Sequence, residues 1–520
     1  MKKIKCFLFV LASLFYIDTY SQSVKWADET ENNSKITVSD LAGYTNKSVF
    51  VIKKRADNGF SAEKFFLDRY DLPDMKKVWT KEIWGTEDGT DKGKTLRINN
   101  VYSLIDGVIV IALNHDYSTV YAMQLRTEDG VLLDSKKVTI GDMDAKNSEQ
   151  AKNAPFKFCI SKDGSTLLGY YVSRHSPVIH TIALDANLNI KWKKDIMPSF
   201  SNNDFNIDEV CTLDGNEIGL LASIRNKGND QKYRYVTVYY NHTNDSKFET
   251  RMDLGGDKLI DGINFDMDAN GNPVAAGMYK NDGKNGLYGS FGFRIDAATG
   301  KVLATASTEF TKEFLTNFIS ERKADKGKGV PELQVDEIYM TADNDIIVAA
   351  ERYYVVEHTS GGMNGGFTST TYVYHYDDIV LAKLDGKSCK TEWAVIIPKK
   401  QISVNNFKAS YGFTIQANTI YLAFCDNRKN ADMDPKVFTE DAEKLKTADL
   451  DDNGKYLVTA VCTVDAGSGN NSRKYVTNYK EDDSKLVFSA LSLTTLPNNK
   501  GIFVYRGDKK TDQGGVLTLH

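Results

Sequence analysis

Residues 163–196 read DGSTLLGYYVSRHSPVIHTIALDANLNIKWKKDI, and this stretch decides the fold. It contains the turn pair Asp163-Gly164, a β-rich run that ends on Arg174, a second run that closes on Asp185, and a third run around Trp192. Asp-Gly pairs supply the positive-φ positions of tight hairpins. The runs themselves are rich in branched and aromatic side chains, which favour strands. The stretch therefore predicts consecutive antiparallel strands.

The same order of runs recurs along the chain. Eight central runs end on a basic or polar residue: SVFVIKKR (48–55), VIVIALNH (108–115), LLGYYVSR (167–174), IGLLASIR (218–225), PVAAGMYK (273–280), IIVAAER (346–352), TIYLAFCDNR (419–428) and GIFVYR (501–506). Their last residues are 51 positions apart between Arg174 and Arg225 and 78 apart between Arg428 and Arg506. A unit repeated at such a period is typical of arrays and propellers. Each unit reads strand, turn, strand, loop, strand, turn, strand, which predicts a four-stranded antiparallel blade.

The two ends of the chain complete this pattern. The last run, GVLTL (515–519), leaves its unit one strand short, and SVKWADE (23–29) has no earlier partners of its own. Pairing the two would close the ring and remove open sheet edges. We predict an all-β fold, a single β-propeller over residues 22–520 with eight blades. Seven is the alternative, because the units that begin near Asn405 and Leu486 are the least regular.

Two segments predict helical inserts, near residues 311–323 and 434–450. The first has Phe314, Phe318 and Ile319 at helical spacing, and the second begins with Asp-Pro followed by acidic residues. We interpret both as surface decorations, since insertions accumulate in loops.

Residues 1–21 predict a secretory signal peptide. Lys2, Lys3 and Lys5 precede an apolar run of 11 residues, Cys6 to Tyr16, which is too short to span a bilayer. No later apolar run approaches the length of a membrane span. We therefore expect a secreted protein without a transmembrane segment, located in the periplasm, on the outer-membrane surface or outside the cell.

Five cysteines follow the predicted signal peptide: Cys159, Cys211, Cys389, Cys425 and Cys462. The odd number leaves at least one unpaired within the chain. We interpret all five as buried free thiols, with a Cys425–Cys462 bridge as the alternative. The net charge of −5 argues against a nucleic-acid partner. We expect a monomer.

Several runs resemble the repeats of secreted bacterial propellers, namely quinoprotein-like repeats and the propeller repeats of Bacteroidetes envelope proteins. The runs are IDAATGKVLATAS (295–307), LDANLNIKWKKDI (184–196) and LDGKSCKTEWAVI (384–396). The quinoprotein docking motif places Asp, Thr-Gly-Lys and Trp in one unit. Here Asp296 and the Thr-Gly-Lys at 299–301 lack the Trp, while Trp192 and Trp393 lack the Thr-Gly-Lys, so the resemblance does not imply a quinone cofactor.

Motifs for catalysis or cofactors are missing from the sequence. It contains no H-E-x-x-H, G-x-S-x-G, P-loop or strand-linked G-x-G-x-x-G. Residues 266–271 and 449–454 match the first half of a calcium-binding EF-hand loop, but Gly277 and Ala460 occupy the position of the bidentate Glu. We interpret both as hairpin turns and expect no cofactor, with weak calcium binding left open.

The central runs share basic ends. Seven of the eight carry Lys or Arg, and the eighth carries His: Arg55, His115, Arg174, Arg225, Lys280, Arg352, Arg428 and Arg506. Equivalent positions of a propeller lie on one face, so these residues predict a cationic collar that binds a carboxylate, sulfate or phosphate. The plainer alternative is that strand ends meet water and are therefore charged.

The sequence favours a secreted non-enzymatic binding or scaffold propeller of the bacterial cell envelope. Its basic face would meet an anionic glycan or a protein partner. The alternative is a carbohydrate-active lyase or hydrolase with its site at the channel mouth, which rests on analogy between propellers. Convergence of two titratable side chains from different blades at the channel mouth would favour the enzyme.

Overall fold

The computed structural model describes most of the 520 residues. The described ranges are 23–31, 36–55, 64–84, 96–114, 119–142, 156–172, 177–200, 205–225, 233–360, 369–404, 409–451, 456–476, 487–489, 493–496, 501–507 and 511–518. The predicted signal peptide and the basic strand ends His115 and Arg174 lie outside them.

The described residues fold into β-strands with a few short helices. The strands are β1 (Ser23–Trp26), β2 (Thr30–Glu31), β3 (Ile36–Tyr44), β4 (Ser48–Arg55), β5 (Lys64–Asp71), β6 (Lys76–Ile83), β7 (Arg97–Leu104), β8 (Gly107–Leu113), β9 (Thr119–Arg126), β10 (Val131–Asp142), β11 (Lys157–Ile160), β12 (Thr166–Val172), β13 (Ile179–Asp185), β14 (Ile190–Ile196), β15 (Phe205–Cys211), β16 (Glu217–Arg225), β17 (Tyr233–Asn241), β18 (Ser246–Met252), β19 (Lys258–Met267), β20 (Pro273–Asn281), β21 (Gly289–Ile295), β22 (Val302–Glu309), β23 (Leu333–Met340), β24 (Ile346–Ser360), β25 (Ser369–Leu384), β26 (Thr391–Ile397), β27 (Gln401–Ser403), β28 (Gly412–Gln416), β29 (Thr419–Asn427), β30 (Ala448–Asp449), β31 (Leu457–Asp465), β32 (Asn471–Tyr475), β33 (Val487–Phe488), β34 (Thr494–Thr495), β35 (Ile502–Gly507) and β36 (Thr511–Thr518). The helices are α1 (Lys312–Thr316), α2 (Glu321–Ala324) and α3 (Val437–Glu440), with 3-10 turns at Arg428–Asp432 and Ala442–Lys444.

The strands group into four-stranded antiparallel units in chain order. We number them unit 1 (β3–β6), unit 2 (β7–β10), unit 3 (β11–β14), unit 4 (β15–β18), unit 5 (β19–β22), unit 6 (β23–β26), unit 7 (β28, β29, β31, β32) and unit 8 (β33 to β36 with β1). Units 1 and 2 form one continuous sheet, because a parallel bridge joins Gly43 to Ser103. β27 and β30 extend the sheet of unit 6. The predicted all-β architecture of four-stranded antiparallel sheets is therefore confirmed.

The eight runs that decided the fold are the second strands of these units. They are apolar throughout because both of their faces are covered, as in β8 and β20, whose side chains are buried along almost their whole length. Fourth strands alternate instead between buried and exposed side chains, as β14 does. A fully buried Val, Leu, Ile or Phe contributes about 1.5–3 kcal/mol, so the second strands carry much of the stability.

Buried apolar clusters lie between successive units. Phe50 of unit 1 shares a cluster with Val108 of unit 2, and the pattern repeats through units 7 and 8. A further cluster joins Phe503 of unit 8 to Val51 and Tyr70 of unit 1. Sheets thus pack face to face along the chain, and the last unit packs against the first.

The first and last strands pair as the sequence predicts. β1 runs antiparallel to β36, with Ser23 opposite Thr518 and Trp26 opposite Gly515. The backbone N–H of Ala27 donates to the Gly514 carbonyl at 3.0 Å. The Trp26 ring lies 4.2 Å from the guanidinium carbon of Arg506. The N-terminal segment is therefore the fourth strand of unit 8.

Aromatic rings of fourth strands lie against glycines of the following unit. The glycines are Gly130, Gly300 and Gly469, and each has positive φ. A Cβ atom at these positions would lie 3.1 Å from the Trp79 ring, 2.6 Å from Phe248 and 3.0 Å from Trp393, respectively. Trp393 Nε1 also donates to the Ala466 carbonyl at 3.2 Å. Each contact fixes one unit on the next through a turn that only glycine fits.

Each segment with a predicted insert holds short helices. Residues 311–323 form α1 and the start of α2, and residues 434–450 form α3, a 3-10 turn and the short strand β30. Among the described residues, no helix is long and apolar enough to cross a bilayer. All five cysteines are free thiols, so the alternative Cys425–Cys462 bridge is absent.

Candidate functional site

The first strand of each unit lies towards the centre of the assembly. The first strands β15, β19 and β23 of units 4 to 6 adjoin one another, whereas the fourth strands form outer edges with exposed side chains. Asn264 of β19 donates from Nδ2 to the Asp336 carbonyl of β23 at 2.6 Å, which ties two first strands directly together. The first strands of units 4 to 6 therefore lie side by side, and we call the space that the side chains of the first strands border the channel.

Five first strands carry a β-bulge at a similar position along the strand. The extra residue is Ser39 in unit 1, Asn99 in unit 2, Asp208 in unit 4, Asp261 in unit 5 and Asp336 in unit 6. A bulged residue has no partner on the neighbouring strand, and bulges redirect side chains next to functional sites. Every bulged residue is polar, and the three in units 4 to 6 are aspartates. The side chains of Asn99 and the three aspartates keep solvent-exposed surface, although the surrounding protein desolvates the carboxyl groups of Asp208 and Asp336.

Further acids follow these bulges and make one side of the channel acidic. Glu209 and Glu337 come directly after the bulged residue, and Asp266 lies further along β19. Burial, with the neighbouring charges of Glu337 and Asp208, raises the pKa of Glu209 to about 7. Burial, with the charge of Glu351, raises the pKa of Asp336 to about 7.

The pKa values of the other channel acids are also raised. Burial raises the pKa values of Asp208, Asp266 and Glu337, and for Glu337 the charge of Asp266 adds to the effect. Crowded carboxylates repel one another, and a cation that binds among them relieves this repulsion. This wall is therefore suited electrostatically to a positively charged group.

Two open cavities border β15. One, of about 440 Å³, lies among the first strands of units 2, 3 and 4 and is lined by Asn99, Tyr102, Lys157, Phe158, Tyr170, Asp208 and Glu209, among others. The other, of about 370 Å³, lies among units 4, 5 and 6 and is lined by Asn206, Asp208, Ser223, Tyr235, Gly262 and Val335, among others. Asp208 lines both cavities. The bulge of β15 thus places one carboxylate between two recesses of ligand size.

Titratable groups from different units meet at this wall. Lys162 Nζ of unit 3 lies 2.6 Å from Asp266 Oδ2 of unit 5. Tyr411 Oη, which precedes β28 of unit 7, donates to Asp336 Oδ2 of unit 6 at 2.7 Å. Burial raises the pKa of the Tyr411 hydroxyl well above its usual value, so this hydroxyl remains protonated and donates.

Four of the eight basic strand ends have described side chains. Lys280 Nζ lies 2.7 Å from Oδ1 of the bulged Asp261. The guanidinium of Arg352 lies between two carboxylates, with NH1 3.4 Å from Asp378 Oδ2 and NH2 3.8 Å from Glu332 Oε2. Arg506 donates from Nε to Gln513 Oε1 at 2.8 Å, and Arg428 begins a 3-10 turn.

The remaining basic strand ends are less fully described. Arg55 and Arg225 end β4 and β16, their side chains lying outside the description, and His115 and Arg174 are outside it entirely. The cationic collar stays a prediction. Lys280 and Arg352 are paired with carboxylates, so a ligand anion would have to compete for them.

The first calcium-like segment, residues 266–271, forms a hairpin turn with internal hydrogen bonds, and residues 452–454 of the second lie outside the described residues. Asp268 Oδ1 accepts from the backbone N–H groups of Asn270 and Asn272, and its Oδ2 lies 2.5 Å from Arg294 NH2. In the described part of the chain, no group of three or more His, Cys, Asp or Glu side chains is arranged to hold a metal ion.

A short sequence pattern marks the bulges, although the bulged residues are not among the predicted site residues. An apolar residue, two polar or small residues and a second apolar residue recur as VSDL (38–41), INNV (98–101), IDEV (207–210), IDGI (260–263) and VDEI (335–338). Each precedes a turn and a second strand. Two polar residues inside an otherwise alternating strand break the period of two, which is the sequence signature of a bulge.

Comparison with known proteins finds solved structures of low similarity to this chain. No family model and no curated protein matches the chain. Solved structures that it resembles include the WD40 domain of SCAP from fission yeast (8% identity, 96% of each chain, TM-score 0.39) and the β-propeller domain of the Trilobed protease from Pyrococcus furiosus (9% identity, 78% of this chain and 90% of that one, TM-score 0.35). A third is an α-L-arabinanase from Penicillium chrysogenum complexed with arabinobiose (10% identity, 64% of this chain and 93% of that one, TM-score 0.33). These neighbours are propeller proteins with and without enzymatic activity. The similarities are too distant to say anything about this chain's ligand.

Proposed function

We propose that the chain is a secreted, non-enzymatic binding propeller of eight blades that holds a positively charged group of a partner protein in its channel. The eight units and the pairing of β1 with β36 support eight blades in a closed ring. The buried cluster between units 8 and 1 supports it as well. A closed ring holds the first strands around one channel and so fixes the distances between their side chains.

The acidic bulges carry this proposal. Asp208, Asp261 and Asp336 occupy the extra position of three consecutive first strands. Glu209 and Glu337 stand beside them, and desolvation together with neighbouring acidic charges raises the pKa of both carboxyl groups. A lysine or arginine side chain entering the channel supplies a positive charge and several donors. The matching ligand is therefore a basic peptide segment.

An anionic glycan, expected from the basic strand ends, is less well supported by the described side chains. Lys280 already neutralises Asp261 at the channel, and Arg352 lies between Asp378 and Glu332. An anion approaching the channel would also meet the carboxylates of Asp208 and Glu337. The electrostatic field at this wall thus favours a cationic ligand over an anionic one.

Binding of charged probes tests the proposal. We would titrate the chain with a fluorescent oligolysine peptide, an oligoaspartate peptide of equal length and a sulfated oligosaccharide, at low and physiological salt. The parent should bind oligolysine alone. The triple variant D208N/D336N/E337Q, which leaves the Lys280–Asp261 pair intact, should lose at least about tenfold in affinity, since each lost charge contact is worth about 1 kcal/mol or more.

A matched control distinguishes the loss of channel carboxylates from a change in the net charge of the whole chain. The variant D28N/D343N/E443Q removes three exposed acids outside the channel, so it changes the net charge by the same amount. It should keep most of the affinity for oligolysine. Equal losses in the two triple variants, or preferential binding of the sulfated oligosaccharide by the parent, would refute a cation site in the channel.

One observation favours a second function. Asp336 and Tyr411 come from different units, lie in hydrogen-bond contact at 2.7 Å, and Asp336 has a pKa of about 7. A carboxyl with that pKa transfers protons at neutral pH, as a carbohydrate-active lyase or hydrolase requires. Reducing-end or unsaturated-sugar assays on a polysaccharide panel test it. Turnover by the parent that is abolished by D336N and has a pH profile inflecting near 7 would establish the enzyme, and no turnover on the panel would favour the binding role.

A further inference from the structure

Strands β24 and β25 extend beyond the rest of unit 6 as a two-stranded ribbon. β23 pairs with β24 only as far as Arg352, whereas β24 continues to pair with β25 from Tyr353 to Ser360. On the other side, β26 and β27 pair with β25 at residues 379–384 and 374–376. Among the described residues, no strand other than β25 pairs with β24 beyond Arg352. The ribbon, residues 353–360 and 369–376, therefore has an open edge along β24.

The backbone groups on this edge can be assigned from one hydrogen bond. The N–H of Tyr353 donates to the Glu332 carbonyl at 2.9 Å, on the side away from β25. In an antiparallel strand, the N–H and C=O of one residue point to the same side, and the side alternates along the chain. Val355, Glu357 and Thr359 therefore direct their N–H and C=O groups outward.

The open edge lacks the usual protection against strand pairing. Exposed edges normally carry lysines, prolines or bulges that prevent another strand from adding. In the ribbon, Glu357 is the one Asp, Glu, Lys or Arg residue, although such residues make up 26% of the chain. Val355 is 44% exposed and Tyr372 is 51% exposed. Such a strand is a template for intermolecular pairing.

We propose that the β24 edge pairs antiparallel with the same edge of a second copy of this chain, with the two-fold axis at Val356. Outward residues must face outward residues, so the axis must pass through a residue of β24. An axis at Glu357 would place two glutamates directly opposite each other, and an axis at His358 would do the same for two histidines. The axis at Val356 instead places Val355 opposite Glu357 of the second copy and Tyr354 opposite its His358.

The side chains favour this register on both faces of the ribbon. Val356 lies opposite Val373 within the ribbon, so the two copies together form a row of four valines across one face. On the other face, Val355 lies opposite Tyr374 and Glu357 lies opposite Tyr372. Glu357 would therefore sit between Tyr372 and an uncharged valine, with no like charge opposite it. The β24 edge is therefore complementary to an antiparallel copy of itself, and for this reason we identify a second copy of the chain as its binding partner.

The pairing should be reversible. An edge of about five residues with its flanking side chains buries less than about 1,200 Å², the range of transient complexes. We expect half-association at about 10–100 μM. This dimer differs from the monomer that the sequence predicts and does not depend on the channel ligand.

Sedimentation velocity over about 1–200 μM tests the proposal. The parent should shift from monomer to dimer, and V356K, which places two lysines opposite each other across the axis, should remain monomeric. The control T371K adds the same charge on the same face but in β25, away from the edge, and should still dimerise. Matching thermal unfolding of V356K and T371K would show that the first is folded. A parent that stays monomeric, or a V356K variant that dimerises like the parent, would overturn the proposal.

Cysteine cross-linking tests the register independently of folding effects. Directly opposite residues of a non-hydrogen-bonded pair have Cα atoms about 4.5 Å apart, within disulfide range, whereas diagonal neighbours are about 7–8 Å apart. V356C should therefore form a disulfide-linked dimer under mild oxidation, and E357C should not, with the parent as the background for the native thiols. Faster cross-linking of E357C than of V356C would refute the axis at Val356.

Discussion

The buried ion pair of Lys399 and Glu351 gives a quantitative test of how units 6 and 7 are held together. Their side chains are 0% and 4% exposed, and Lys399 Nζ lies 2.6 Å from Glu351 Oε1. Lys399 Nζ also donates to the Tyr376 carbonyl at 2.9 Å and to Gln401 Oε1 at 3.0 Å. Gln401 Nε2 in turn donates to the Cys425 carbonyl of unit 7 at 2.8 Å.

Replacing Lys399 by Met should destabilise the fold strongly. The substitution leaves the Glu351 carboxylate buried without its cation, which costs about 3–5 kcal/mol. An unfolding entropy of about 2 cal/mol/K per residue amounts to about 1.1 kcal/mol/K for 520 residues, so the melting temperature should fall by about 3–5 °C. Differential scanning calorimetry measures this shift.

Two further variants decide whether the buried charge is the cause. The double variant K399M/E351L removes both charges, and it should regain most of the loss because an apolar pair of similar volume can replace a buried ion pair. The control K400M removes a neighbouring lysine whose Nζ makes only an exposed contact to the Glu443 carbonyl, so it should change the melting temperature by less than about 1 °C. Parent-like melting of K399M, or a double variant no more stable than K399M, would refute the argument.

Three other predictions concern the channel, the contacts between units and the terminal strand. Burial raises the pKa of Asp336 to about 7, so the folded state loses stability as the pH rises from about 4 to 7. Above pH 7, D336N should therefore have a larger free energy of unfolding than the parent. Urea titrations should show that this difference disappears below about pH 4. In urea titrations, G300A should lower the free energy of unfolding by about 2–4 kcal/mol, because residue 300 has φ +69° and its new Cβ would lie 2.6 Å from Phe248. The control G283A has a similar φ of +65° but no atom within 4 Å of the new Cβ, so it should lower the free energy of unfolding by only about 1–2 kcal/mol. W26A should speed hydrogen exchange in β1 and β36 without affecting unit 4, and equal exchange in parent and variant would contradict the role of Trp26 in holding the ends together.

The sequence predicts the strands of this fold well because their signals are local. Continuous apolar runs such as 108–113 mark the second strands, and the turn residues Gly164 and Gly215 have the positive φ values that the hairpins require. Trp26 and Trp192 lie on the strands that complete their units as predicted, and Trp79 also lies on a fourth strand. Each of these features depends on a few neighbouring residues, so periodicity and turn chemistry suffice to find it.

Features set by contacts between distant segments were harder to predict. The segment 434–450 carries a helix start signal, yet Asn430 fixes it in an irregular path by donating from Nδ2 to the Lys446 carbonyl at 2.9 Å and accepting from the Lys446 N–H at 2.8 Å. The basic strand ends were chosen for their charge. Whether a charge is available depends on its neighbours, and Asp261 beside Lys280 could not be foreseen without the pairing of β19 with β20.

The bulges of the first strands also make the channel easy to modify. A bulged residue opposes no residue of the second strand, so its side chain takes no part in the packing between sheets. Ser39, Asn99 and the three aspartates already occupy this position with different chemistry in a common backbone. Substitutions there should alter selectivity while sparing the scaffold. In the proposed ring these five positions would set which ligand the channel binds, so chains with other side chains there would bind other ligands on the same backbone.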